Sequence, residues 1–260
     1  MEPQTTESTE LNLQLVDSLP QINYVARDRL PCFLEGPIKE ELKRVYPTIK
    51  SQYPDSKGLG DFNFDGNVVI GSNPLVVAAI YPLFRQIGLR PAISADDRDG
   101  KISAMVKGNY YTDFSDLVVH SATPTREQNE GILRNLIDVT EDRMGSVQFP
   151  FKVTGVTLES FLEDCKNGYG LKFVQTDDFD YVHDARLNKE NRSRFDNVDE
   201  IGIPIFDEKG KRTWYSKQDG LSRLCLDGYL GLYSDDDSLS GSNRNGRVVL
   251  VDAEGVALQK

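Results

Sequence analysis

Apolar positions recur at helical spacing in the first half of this chain and at every second residue in much of the second. In "PIKEELKRVYPTIKSQY" (residues 37–53), Ile38, Leu42 and Val45 share one helical face behind Pro37, a residue suited to a first turn. "SNPLVVAAIYPLFRQIG" (72–88) predicts a second helix. Ser72 or Asn73 caps it, Pro74 opens it, Gly88 ends it, and Pro82 should kink or split it. "TPTREQNEGILRNLIDVTEDR" (123–143) predicts a third. Thr125 caps, Gln128 completes a capping box, and Ile132, Leu136 and Val139 form the buried stripe. Between them, "DFNFDGNVVIGS" (61–72) alternates across Asp65-Gly66, and "LRPAISADDRDGKISAMVKG" (89–108) reads as a hairpin turning at Arg98-Asp99-Gly100.

From Ser146 the period falls to two. "SVQFPFKVTGVTL", "YGLKFVQT", "IPIFDEKGKRTWYS" (turning at Glu208 to Gly210) and "GRVVLVDAEGVALQ" all read as strands. The pattern predicts an α+β chain: a disordered polar tail over 1–10, an α+β part over 11–145 and a β-rich domain over 146–260.

Composition narrows the function classes. The 260 residues carry a net charge of −11, and no basic cluster offsets it; "KEELKR" (39–44) mixes signs. Phosphate contacts dominate nucleic-acid affinity, so no nucleic-acid partner is expected. The longest apolar run, Pro74 to Phe84, is too short to span a bilayer, so no membrane insertion is expected. The start, "MEPQTTESTE", has no apolar core of a signal peptide. Cys32, Cys165 and Cys225 fit neither a disulfide framework nor a zinc pattern. These features predict a reducing setting: the cytoplasm, or a particle assembled there.

Chemistry-bearing motifs are sparse. Asp61, Asn63, Asp65 and Gly66 match the first half of a calcium loop, but its twelfth position is Ser72, and a D-G turn explains the same residues. Asp177, Asp178, Asp180, His183 and Asp184 form an acidic cluster. If it is helical, Asp180, His183 and Asp184 share a face suited to a divalent metal; a solvated acidic segment is the other reading. "GSNP" (71–74) is a strand-turn-helix junction able to hold an anion, or a plain turn. His120-Ser121 are neighbours in sequence, which does not make a catalytic dyad. No phosphate loop, nucleophile elbow or zinc-protease motif occurs. No cofactor and no enzyme activity are therefore expected. The alternatives are a metal-dependent enzyme centred on Asp177 to Asp184, or a structural subunit of an assembly.

The stretch "LCLDGYLGLYSDDDSLSGSNRNGRVVLV" (224–251) stands apart. Leu224 and Leu226, then Leu230 and Leu232, are spaced as one face of a strand, and Leu239 is placed to anchor the following loop. From Asp219 to Ala253 there is no Glu, Lys, Gln, Met or Trp, although Lys217 and Gln218 stand just before and Glu254, Gln259 and Lys260 after. Those five residue types are the ones a codon ending in C or T cannot encode. Asparagine codons randomised at both adenines would produce this depletion. The segment in this respect resembles the variable region of proteins diversified by retroelements that rewrite adenines near a gene's 3′ end. That resemblance implies a C-type-lectin-like display domain that binds varied protein ligands. It places the ligand-binding surface at Asp227, Gly228, Tyr229, Gly231, Tyr233, Asp235, Asp236, Asp237, Gly241, Asn243, Arg244 and Asn245. Tyr229 and Tyr233 would be aromatic anchors and Arg244 a charged one. Asp235 to Asp237 would favour a basic patch on the partner.

Overall fold

The computed structural model describes residues 20–22, 30–164, 166 and 168–253, and shows an α+β fold. The predicted tail and residues 254–259 of the last predicted strand lie outside these residues. In chain order the elements are β1 (Cys32–Phe33), α1 (Gly36–Ser51), α2 (Pro74–Arg85), β2 (Leu89–Pro91), α3 (Lys101–Val106), β3 (Tyr111–Val119), α4 (Glu130–Met144), β4 (Phe151–Ser160), β5 (Leu171–His183), β6 (Ser193–Val198), β7 (Pro204–Phe206), β8 (Arg212–Ser216), β9 (Leu221–Asp227), β10 (Leu232–Ser234), β11 (Gly246–Arg247) and β12 (Val249–Asp252).

Nine strands form one mixed sheet in the order β5-β4-β3-β9-β10-β8-β6-β7, with β11 added beside β3. A second sheet runs β1-β12-β2. Gly145 closes α4 in the left-handed region, as a helix-ending glycine does. It does not separate two sheets. Strand β3, from before Gly145, lies between β4 and β9, and β12 lies between β1 and β2.

Alternation along the central strands loads both faces of the sheet. Leu117 and Val119 of β3 join the core that includes Leu42, Ile80 and Leu136 of α1, α2 and α4. Phe114 and Val118 face a second core with Ile102, Phe195, Trp214, Leu224, Leu226 and Leu232. Leu239 is fully buried in the first core, as expected for a loop anchor. Leu230 does not continue the leucine frame: it sits at φ 65° in the turn before β10.

Several local expectations change for identifiable reasons. Helix α2 runs through Pro82 unbroken. Proline lacks the N–H that would reach the Ala78 carbonyl, and Thr157 Oγ1 of β4 donates to that carbonyl instead, at 3.1 Å. The expected hairpin at Arg98 to Gly100 is a 3-10 turn (Ser94–Asp97) leading into α3. Asp96 accepts from Ile93 N at 2.7 Å and Asp97 from Ser103 N at 2.7 Å, so carboxylates satisfy the N–H groups of a helical start. Thr125 does not cap α4, which begins at Glu130 behind a 3-10 turn (Glu127–Asn129). Strands β7 and β8 are consecutive but not paired, because β6 lies between them.

Candidate functional site

Burial of Leu224, Leu226 and Leu232 in the second core turns Arg223, Cys225 and Asp227 of β9 toward the opposite face. There they line a groove of about 400 Å³ with Tyr111 of β3, Tyr233 of β10 and Asp236 of the following loop. Residues far apart in the 227–245 segment thus gather around one concavity.

The turn from β9 to β10 is built by Asp227. Its Oδ1 accepts from Tyr229 N at 3.0 Å and Gly231 N at 2.8 Å, and its Oδ2 accepts from the Tyr233 hydroxyl at 3.1 Å. The Tyr233 ring stacks on Tyr215, with centroids 4.2 Å apart. Burial, then the Asp227 charge, push the Tyr233 phenol above its ordinary pKa, so it stays a donor. A Cβ at Gly231 would come 2.7 Å from the Tyr233 ring, which explains the small residue there. Tyr229 is thrust outward and is 88 % exposed. The Gly228 carbonyl accepts from Gly108 N at 2.9 Å, which seats the turn against the loop between α3 and β3.

The loop after β10 is pinned rather than free. Asp237 accepts from Thr125 Oγ1 at 2.7 Å and pairs with Arg126 Nε at 2.5 Å; Lys217 Nζ lies 3.4 Å away. Burial opposes the Asp237 charge, but Thr125, Lys217 and Arg126 outweigh it and hold this carboxyl below its ordinary pKa. Asp236 caps Ser238 N at 2.8 Å and lies 3.5 Å from Arg223. Asp235 is half-buried, and burial raises its pKa. The Gly241 carbonyl accepts from Arg223 Nη1 at 2.8 Å. Asn243 Oδ1 accepts from Asn245 N at 2.8 Å. The side chains of Asn243, Arg244 and Asn245 are exposed. The twelve candidate positions therefore divide. Tyr229, Asn243, Arg244 and Asn245 face solvent, Asp227, Gly228, Gly231, Tyr233, Asp236, Asp237 and Gly241 hold the turn and loop, and Asp235 is half-buried. Asp237→Ala should cost about 2 kcal/mol in urea unfolding, the scale of hydrogen bonds to charged groups. Tyr229→Ser should stay within about 0.5 kcal/mol of the parent.

Beneath the groove, Arg223 Nε donates to Asp113 Oδ1 at 2.6 Å, and Ser72 Oγ donates to Asp113 Oδ2 at 2.6 Å. Arg223 Nη2 lies against the same carboxylate but is misaligned for a hydrogen bond. The Arg223 guanidinium lies 5.3 Å from the Tyr111 ring centroid. None of Ser72, Tyr111, Asp113 or Arg223 belongs to the candidate set. Their signal is in β3 itself, where "YTDFSDLVV" places Asp113 and Asp116 among apolar residues. A buried strand carries such charges only with partners.

The other candidates are structural. β5 runs to His183, so Asp180 and His183 point to opposite faces. Asp178 pairs with Arg85 and Tyr81, His183 Nδ1 faces the Pro150 carbonyl at 2.8 Å, and Asp184 caps Arg186 N at 2.8 Å. Asp61 pairs with Lys50, and Asn63 caps the Asp65 N–H within a one-bridge hairpin to Ile70. Among the described residues no group of three His, Cys, Asp or Glu is placed to hold a metal. The "GSNP" junction is filled by protein: Asn73 caps Val76 N at 2.8 Å, Ser72 N donates to Ser242, and Gly71 N donates to the Gly246 carbonyl. His120 is buried, with Nδ1 2.6 Å from Asn188 Oδ1 and Nε2 2.9 Å from Ser222 Oγ, while Ser121 donates to Asp219. Among the described residues no helix is long and apolar enough to cross a membrane.

Comparisons with protein-family models, curated proteins and solved structures find no match.

Proposed function

We propose that this is a ligand-binding protein whose C-terminal segment forms a display surface diversified by a retroelement, with varied proteins as its ligands. The observation that carries this reading is that Asp227, Tyr233, Asp236, Gly241 and Asn243, spread along a segment depleted in five residue types, line one groove. Exposed Tyr229 supplies rigid amphipathic contact area, and Asn243 and Asn245 supply adaptable hydrogen bonding. The turn chemistry is compatible with an asparagine-rich template. Asp227, Asp236 and Asn243 each accept the N–H two residues on through Oδ1, an atom that Asn and Asp share.

Sequencing the 3′ end of the gene and related copies tests the proposal. Differences should sit at adenine-derived codons and concentrate at Tyr229, Asn243, Arg244 and Asn245, with Asp237, Gly228 and Gly231 changing least. Differences spread evenly along the chain would overturn it.

A further inference from the structure

Charge on this surface is matched at one end and unmatched at the other. Asp236 and Asp237 meet Arg223, Arg126 and Lys217. At the opposite end, Arg247 is only 8 % exposed, yet among the described residues no carboxylate pairs with it. Its Nη1 donates to the Arg244 and Gly246 carbonyls at 2.9 and 2.8 Å, and its guanidinium lies 4.4 Å from the Tyr110 ring centroid. Its Nε and Nη2 have no hydrogen-bond partner among the described residues. Neither nitrogen is sealed from solvent, so both can reach an anion from outside.

Two further cations lie nearby, and the neighbouring Asp227 carboxylate is occupied by Tyr229 N, Gly231 N and the Tyr233 hydroxyl. Arg244 and Lys107 are exposed and make no ion pair among the described residues. Lys107 precedes Gly108, whose N–H is bonded to Gly228, and Tyr111 N donates to the Asn245 carbonyl at 3.1 Å. The loop 107–110 is therefore adjacent to both the Tyr229 turn and the Asn243 to Asn245 stretch. This local excess of positive charge stands out in a chain of net charge −11.

We infer that the rim formed by Lys107, Arg244 and Arg247 around Tyr110 docks an acidic segment of a partner protein. The inference rests on the ligand-binding reading and gives the partner the sign opposite to that implied by Asp235 to Asp237, of which Asp237 is paired within the fold with Arg126 and Lys217. Stacking on Tyr110 fixes the plane of the Arg247 fork, which favours two-point contact with a carboxylate. Loop 107–110 would then be an invariant half of the surface, supplied from outside the C-terminal segment.

The test uses the full chain and a fluorescein-labelled hexaglutamate peptide, followed by anisotropy in about 0.1 M salt, where the Debye length is about 10 Å and distant carboxylates are screened. Saturable binding is expected. Lys107→Ala with Arg244→Ala, both at exposed positions, should weaken it by about tenfold or more. Arg247→Lys keeps the charge but loses the fork, and should weaken it by a smaller factor. Lys209→Ala with Lys211→Ala, on the turn between β7 and β8, should bind like the parent. Absence of hexaglutamate binding, equal binding by the Lys107/Arg244 double variant, or equally tight binding of hexalysine would each overturn the inference. Those outcomes leave the gene-copy test of diversification standing. Evenly spread gene variation, conversely, would leave a hexaglutamate site intact.

Discussion

Arg223→Met is expected to destabilise the protein by about 3–5 kcal/mol, the cost of removing one partner from a buried ion pair. Asp113 is 1 % exposed, and burial pushes its carboxyl pKa upward against the opposing pull of Arg223 and Ser72. Without the guanidinium, the carboxylate keeps only the Ser72 hydroxyl. Combining Arg223→Met with Asp113→Asn should recover a large part of the loss, because the neutral amide no longer needs a counter-charge. Urea unfolding of the two single variants and the double variant measures the coupling. Additive losses would mean that the pair does not act as a unit. Two further ion pairs, Lys152 with Asp116 and Arg212 with Asp97, are buried in the same way. The central sheet is thus specified by charge as well as by apolar packing.

Acidification should expose the cost of burying His120. Burial lowers its pKa to about 4, against the opposing effect of its contacts with Asn188 and the Ser234 carbonyl. In the unfolded chain the ring titrates near pH ~6.5. Above that pH both states are neutral and the full stability is present. As pH falls from about 6.5 to about 4, the unfolded chain takes up a proton that the folded chain refuses, so stability falls. The total loss is about 3 kcal/mol, because each pH unit between the two pKa values is worth roughly 1.4 kcal/mol. His120→Gln keeps polar atoms in the cavity and removes the titration. Its stability should depend less on pH across this window, while carboxylate titration continues in both proteins. Parallel curves for parent and variant would contradict this account.

Much of the α+β framework was legible because its signals are local. The stripe of Ile38, Leu42 and Val45 and the Asn73 cap produced helices where the sequence predicted them. The Leu224, Leu226 and Leu232 frame faces one core, as its spacing requires. The failures share another cause. At Arg98 to Gly100, side-chain caps from Asp96 and Asp97 overrode a turn dipeptide. At Pro82 a hydroxyl from a distant strand removed the penalty of the proline. Pairing of β3 with β9 depends on contacts that no window of the sequence contains.

The candidate surface was partly legible for the same reason. Composition selected the segment, and turn residues located Asp227 and Gly231. Their division into supporting and outward-facing positions needed the positions of Arg126, Lys217 and Gly108, all contributed from elsewhere in the chain.

The placement of β12 between β1 and β2 has a consequence during synthesis. Leu250 pairs with Cys32 on one side and with Pro91 on the other. Strands made early therefore wait for one that leaves the ribosome after residues 227–245. A product ending before Val249 would leave β1 and β2 with open edges and the first core short of Leu250. Such a fragment should be a substrate for chaperones and proteases, so the molecules that survive are those that carry the segment.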